Sequence, residues 1–363
     1  MSVCDQSLPY VRAISPYQPG KPITQLAREM GIPVERIVKL ASNENPLGMS
    51  PKARAALEQA VATLERYPDD YDLKAAVAAH TGFGMERIVL GNGSNDLLDM
   101  AARVFLAPGR STIFSQHAFA VYPLASLSVG AELIAVPAKD FGHDLDAMRA
   151  AIRPDTRLIW IANPNNPTGT FVPYPQLKAF MQAVPADVVV VLDEAYNEYL
   201  PKTVRADSKE WLAEFPNLLI TRTFSKIYGL AGLRIGYAIT SAEIADLMNR
   251  VRQPFNCNNL ALAAATAALD DHEFVARSQE LNRAGMAQLT AGFARLGFTH
   301  IPSYGNFVAF RAGDAAAVNQ KLLRQGVIVR PIAGYGMPEW LRVTIGTEAE
   351  NQRFLDALAA VQG

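Results

Sequence analysis

The chain has 363 residues, half of them apolar and 19% charged, the balance of a folded globular protein and not of a disordered one. Lys and Arg number 34 against 35 Asp and Glu, and the net charge of −1 excludes a general polyanion binder, though not a site where a few arginines hold one small anion. Two cysteines, Cys4 and Cys257, exclude a disulfide framework or a four-thiolate zinc site, and the five histidines show no HExxH motif and no i, i+4 pair, so no metal is expected.

At roughly 150 residues per domain the length predicts about two domains. Residues 1–10 lack a basic start followed by an apolar run, and no apolar string approaches the ~20 residues of a membrane span, so a cytoplasmic protein is expected. The first forty residues carry Pro9, Pro16, Pro19, Pro22 and Pro33, a density that predicts an N-terminal arm (1–40) with no long helix. Strands are predicted at Arg87–Leu90, Ser111–Phe114, Glu132–Val136, Leu158–Ala162, Val188–Leu192, Leu218–Thr221 and Ile235–Ile239. Helical segments Asp96–Phe105, Leu145–Ile152 and Tyr174–Ala183 lie between them, the pattern of a mostly parallel sheet covered by helices over 41–253. From about Pro254 the texture shifts. Ala-rich helical stretches at Leu260–Leu269 and Phe274–Leu296 lead to shorter strands at Phe307–Phe310, Val327–Arg330 and Leu341–Ile345, a smaller α+β domain over 254–363.

Ligands bind at the carboxyl ends of parallel strands, and four of these ends are chemically loaded. After Arg87–Leu90 come Gly91-Asn92-Gly93-Ser94-Asn95 and a helix start, which reads either as an anion cradle or as a glycine turn with a polar cap. After Leu158–Ala162, two Asn-Pro steps fix the amide of Asn166, and a rigid connector is the plainer reading. Asp193 ends a wholly apolar strand, where a carboxylate is costly unless paired, with Tyr196 three residues on. Lys226 follows the Leu218–Thr221 strand among small residues, with Gly229, Gly232 and Arg234 beyond. An anion cradle, an amide, a buried carboxylate, a phenol and a lysine amine together suit pyridoxal 5'-phosphate, whose aldehyde forms a Schiff base with lysine and whose ring is an electron sink.

The motifs N-P-N-N-P-T-G (163–169), D-E-A-Y (193–196) and T-F-S-K-x-x-G-L-A-G-L-R (223–234) resemble the fold type I pyridoxal-phosphate aminotransferases in order and spacing. A-S-N-E-N-P (41–46), R-Y-P-D (66–69) and L-R-V-T-I-G-T (341–347) resemble, more narrowly, the histidinol-phosphate aminotransferases within that group. The resemblance implies that Lys226 is the Schiff-base lysine and proton shuttle, that Asp193 pairs with the pyridine nitrogen, and that Tyr196 and Asn166 bond the ring oxygen. It assigns the cofactor phosphate to Gly93, Ser94, Asn95, Ser225 and Arg234, and the aromatic over the ring to Phe119, where many relatives have Tyr. Tyr67 is expected to reach the phosphate of a neighbouring subunit, implying a homodimer with shared sites. Tyr17, Asn43, Arg330 and Arg342 are expected at the substrate, with Asn256 and Asn258 near the domain junction as further pocket candidates. The implied reaction moves the amino group of L-histidinol phosphate to 2-oxoglutarate, in histidine biosynthesis. An aromatic amino-acid aminotransferase and a threonine-phosphate-type decarboxylase share most of the pattern. A cofactor-binding regulator needs a DNA-binding domain that the arm is too short to supply.

Overall fold

In the computed structural model, which describes residues 2–362, twelve strands form three sheets. They are β1 (Val38–Lys39), β2 (Ile88–Gly91), β3 (Ser111–Ser115), β4 (Glu132–Val136), β5 (Thr156–Ala162), β6 (Val189–Asp193), β7 (Leu218–Thr223), β8 (Gly236–Ile239), β9 (Phe307–Arg311), β10 (Val327–Ile328), β11 (Arg330–Pro331) and β12 (Trp340–Thr344). The large sheet runs β2-β8-β7-β6-β5-β3-β4. Its strands are parallel except β8, which lies antiparallel to both neighbours. The segment 224–235 joining β7 to β8 holds only a 3-10 turn, and without a crossover helix the chain returns antiparallel.

The sheet divides its side chains between two apolar layers with the strand's period of two. Leu158 and Trp160 of β5 enter one layer with Val189, Val191 and Leu219, while Ile159 and Ile161 enter the other with Val190, Leu192 and Ile220. This is why β5 to β7 read as unbroken apolar runs. The chain moves outward one way from β3 to β4 and the other way from β5 through β7. The crevice between β3 and β5 is therefore a topological switch point.

A second lobe holds the antiparallel sheet β11-β12-β9 and a core in which Phe293 stacks on Phe310, Phe354 meets both edge-on, and Leu341 and Val343 pack in the same cluster. The stretch expected as one strand over Val327–Arg330 is two. β10 pairs with β1, and β11 with β12. The proline-rich arm carries one eight-residue helix, Ile23–Met30, bounded by Pro22 and by Gly31 at φ 66°, and its Leu26 is buried against Ile37, Leu323 and Ile328 of the second lobe. The composition shift near 254 falls earlier than the change of packing. The helix Asn259–Leu269 lies on the helices Pro51–Ala60 and Tyr71–Thr81 and buries its alanines in the large-sheet core. Packing passes to the second lobe only within the long helix His272–Leu296, whose Leu289 and Phe293 join that lobe's core.

Candidate active site

The carboxyl ends of β5, β6 and β7 lie level. Ala162 is in register with Asp193, and Asp193 with Thr221. Asp193 is buried, accepting hydrogen bonds from the Tyr122 hydroxyl at Oδ2 (2.9 Å) and from the Thr221 hydroxyl at Oδ1 (3.1 Å). Burial pushes its carboxyl pKa above the ordinary value, and these two donors work against that rise. The Tyr122 ring stacks nearly parallel on Trp160 with centroids 5.1 Å apart, which fixes the direction of its hydroxyl.

Three residues past Asp193, burial raises the Tyr196 phenol to about 12. Its oxygen takes a hydrogen bond from Asn43 Nδ2 at 2.9 Å. Lys226 follows β7, with Nζ 3.3 Å from the Ser42 carbonyl and 5.8 Å from the Tyr196 ring centroid. Burial first, and then the guanidinium of Arg342, lower its pKa from 10.5 to about 8. A cavity of about 280 Å³ contains Lys226, Asp193, Tyr196, Asn166, Phe119, Ser94, Asn95, Ser225 and Arg234 on the large-lobe side. Tyr17, Asn43, Arg330 and Arg342 border it from the arm and the second lobe.

The phosphate-sized end of this cavity is built tightly. Gly93 sits at φ 77°, and a Cβ there would lie 2.3 Å from Arg234 Nη2, so only glycine allows the guanidinium to close on the start of the helix Ser94–Phe105. Arg234 Nη1 also donates to Ser225 Oγ at 3.3 Å. Buried Arg342 donates to Asn166 Oδ1 (2.5 Å) and to the Ala41 carbonyl (2.9 Å), and lies over the Phe307 ring. The acceptor end of Asn166 is thereby used, and the donor end of its amide is what it can offer a ligand. Arg330 donates to the Tyr17 hydroxyl (3.1 Å) and the Gln18 carbonyl (2.7 Å), tying the arm to the second lobe.

Several residues are placed differently from the sequence reading. Asn43 borders the cavity, but its side chain is spent on protein. Besides donating to Tyr196, it accepts from Thr344 Oγ1 at 3.1 Å, while its carbonyl accepts from Asn306. Tyr67, by contrast, is 79% exposed, outside the cavity of its own chain and stacked 4.5 Å from Phe255, a position that leaves the expectation of a role at a neighbouring subunit open. Asn256 binds the Leu90 carbonyl and Asp96, and Asn258 caps the helix Asn259–Leu269, so neither lines the cavity. Sequence reasoning missed Tyr122, Thr221 and Tyr335. Tyr335 also lines the cavity, and its carbonyl contacts His117 Nδ1 at 2.7 Å across the lobes. A larger cleft of about 950 Å³ beside Phe141 and Trp340 is lined by Thr170–Pro173, just past the 163–169 motif, and by none of the residues of the loaded strand ends. Among the described residues there is no cluster of three His, Cys, Asp or Glu able to hold a metal, and no helix long and apolar enough to cross a membrane.

The cavity's donor set fits pyridoxal 5'-phosphate. It has an anion cup at one end, a buried carboxylate level with the strand ends, a phenol and an amide beside it, and an amine of lowered pKa. Comparison with known proteins points the same way. The family model for aminotransferases of class I and II matches residues 35–358. The chain is 74% identical to histidinol-phosphate aminotransferase 1 of Dechloromonas aromatica, over 99% of both chains. It is 60% identical to histidinol-phosphate aminotransferase 1 of Thiobacillus denitrificans, over 99% of this chain and 96% of that one. Among solved structures, histidinol-phosphate aminotransferase of Sinorhizobium meliloti in complex with pyridoxal-5'-phosphate superposes with a TM-score of 0.90 at 30% identity, covering 98% and 97% of the two chains. Aspartate aminotransferase of Thermus thermophilus with maleate, 22% identical with a TM-score of 0.83 over 97% and 98% of the chains, shares the fold.

Proposed function

The chain belongs to the class I and II aminotransferases, and on that footing we propose that it transfers the amino group of L-histidinol phosphate to 2-oxoglutarate, giving imidazole acetol phosphate and L-glutamate in histidine biosynthesis. The observation that carries the chemistry is one cavity holding an amine of lowered pKa, Lys226, beside a buried carboxylate, Asp193. The donor follows from the 74% identity to the Dechloromonas enzyme. An aromatic amino acid as donor is not favoured by that similarity.

Pyridoxal 5'-phosphate, when bound, supplies an aldehyde that captures the amine and a ring that accepts electron density from the substrate α-carbon. The carboxylate of Asp193 holds a proton on the pyridine nitrogen, and Tyr122 and Thr221 keep that carboxylate charged and aimed. Asn43 donates to the Tyr196 oxygen, so the single phenolic proton of Tyr196 is left to donate to the ring oxygen. Asn166 offers its amide N–H to the same oxygen, and Gly93, Ser94, Asn95, Ser225 and Arg234 hold the phosphate. Phe119 packs on the ring. Lys226 Nζ, in its neutral form, would accept and hold the proton released from the substrate α-carbon. With a pKa of about 8, roughly a tenth of it is neutral at pH 7, against about one part in three thousand at the usual 10.5. Arg330, Arg342 and Tyr17 receive the anionic end of the substrate, and a planar guanidinium serves phosphate or carboxylate alike. Exposed Tyr67 supports a homodimer in which each chain completes the other's phosphate site, and the same reading places the enzyme in the cytoplasm.

The test is the half-reaction. Purified protein is mixed separately with L-histidinol phosphate, L-phenylalanine and L-threonine phosphate, and conversion of the bound cofactor to its amine form is followed by absorbance. Conversion with histidinol phosphate at least about tenfold faster per concentration than with phenylalanine, a gap of ~1.4 kcal/mol, is expected. A preference for phenylalanine keeps the chemistry and overturns the donor.

A further inference from the structure

On the face of β7 turned away from the cofactor cavity, a separate pocket of about 330 Å³ opens between the 201–209 loop and the strand. Thr221 and Thr223 belong to the cavity side. Arg222 between them points the other way and forms this pocket's floor. Lys202, Arg205 and Lys209 face it as well. Among the described residues, acids pair with two of these four cations and leave the other two free. Arg222 is bound by Glu194, whose other oxygen accepts from Ser208, and Lys209 pairs with Asp207 at 3.2 Å. Burial drives the carboxyl of Glu198, behind Arg222 and Arg205, toward its neutral form. Neither Lys202 nor Arg205 makes an ion pair with any described residue. The imidazole of His80, at the pocket edge, is held below its usual pKa by burial first and then by Arg222 and Lys209.

A second, independent feature lies in the wall. Asn197 is 1% exposed, and its Oδ1 accepts from the Tyr174 hydroxyl at 3.1 Å. Its Nδ2 is buried without a partner. An orphaned buried donor is costly, so a pocket that keeps one among cationic side chains is shaped for an acceptor that protein atoms do not supply.

We propose that this pocket is a second anion site that takes a small phosphate-bearing ligand, with Arg205 and Lys202 closing over it and Asn197 donating from the wall. The volume is ample for a pyrophosphate or a phosphorylated metabolite. The site is independent of the transaminase reading and shares no residue with the cofactor cavity.

The experiment is calorimetric titration of the cofactor-loaded enzyme with inorganic pyrophosphate at fixed ionic strength, on the natural protein and on Arg205→Ala, Lys202→Ala and Arg330→Ala. The first two alter exposed side chains, and unchanged visible absorbance of the bound cofactor checks that the fold is kept. The expected result is one binding event per chain that weakens at least about tenfold in Arg205→Ala and in Lys202→Ala and persists in Arg330→Ala. Binding that survives both pocket substitutions and disappears in Arg330→Ala belongs to the substrate arginines and overturns the proposal. So does the absence of any binding in the natural protein at millimolar pyrophosphate.

Discussion

Replacing Tyr122 by Phe removes one hydroxyl and leaves the ring on Trp160, so it isolates the bond to Asp193 Oδ2. A hydrogen bond to a charged acceptor contributes about 1.5–3 kcal/mol. Asp193 already has a pKa raised by burial, and the Tyr122 bond opposes that rise. Its loss therefore lifts the folded-state value further. A carboxyl whose folded pKa exceeds its unfolded one binds more protons in the folded state, so stability falls as pH rises from about 4 through the folded value. The cofactor-free variant should then be about 1.5–3 kcal/mol less stable than the natural protein at pH 7, with the deficit shrinking toward pH 4. Urea unfolding at the two pH values reads this directly. In the loaded enzyme, weaker hold on the pyridine nitrogen should lower kcat at least about tenfold, with smaller effect on KM. A variant with kcat unchanged and a stability deficit below about 0.5 kcal/mol at pH 7 refutes the reasoning, because Asp193 would then be held without Tyr122.

Lys226→Met should abolish turnover and the lysine-dependent visible absorbance of the cofactor. Without cofactor it should be more stable than the natural protein below pH 8 by about 2 kcal/mol, discounted because the side chain is only half-buried. Since burial lowers the lysine pKa, that advantage fades between pH 8 and pH 10.5, as urea midpoints across this range will show. Asn43→Ala strips the donor from Tyr196 and the acceptor from Thr344 and places a Cβ-bearing residue with no local hydrogen bond at φ 56°; about 2 kcal/mol of stability and a kcat fall larger than any KM change are expected from denaturation and steady-state kinetics. Arg342→Lys keeps the charge but not the two-directional hold on Asn166 and Ala41, so KM should rise for donor and acceptor alike, measured with each varied separately.

What was legible in the sequence was local. Each loaded strand end is an apolar run followed within a few residues by its polar group, and register across parallel strands then brings Ala162, Asp193 and Thr221 level without further information. Tyr122 was not legible because it lies inside an ordinary apolar helix, Val121–Ser128, and meets Asp193 across 71 residues. Asn43 stood in a recognisable motif, yet its partner Thr344 is 301 residues away, and only the fold reveals that its amide is consumed by protein. The helix Asn259–Leu269 was read correctly as a helix and placed with the wrong neighbours, since an Ala-rich surface packs closely on any helix pair that presents a groove. The antiparallel course of β8 depends on the length and content of the segment before it, which strand composition does not carry.

Three consecutive residues, 41–43, tie the two lobes to the chemistry. The Ala41 carbonyl holds Arg342, the Ser42 carbonyl receives Lys226 Nζ, and Asn43 bonds Tyr196 on one side and Thr344 and Asn306 on the other. The segment is therefore an element of the site, although it comes from the stretch between the arm and the sheet. Its left-handed backbone at Asn43 turns the chain so that successive carbonyls and side chains face opposite lobes, a conformation asparagine adopts more readily than most residues. A shift of the second lobe moves Thr344 and Arg342, and through this strap it also moves the partners of Tyr196 and Lys226. On the proposed roles, the groups that would bind substrate and those that would carry the proton are held by one strap, so substitutions at residues 41 and 42 should change kcat and KM together, while Asn43, whose side chain bonds Tyr196 directly, should act mainly on kcat.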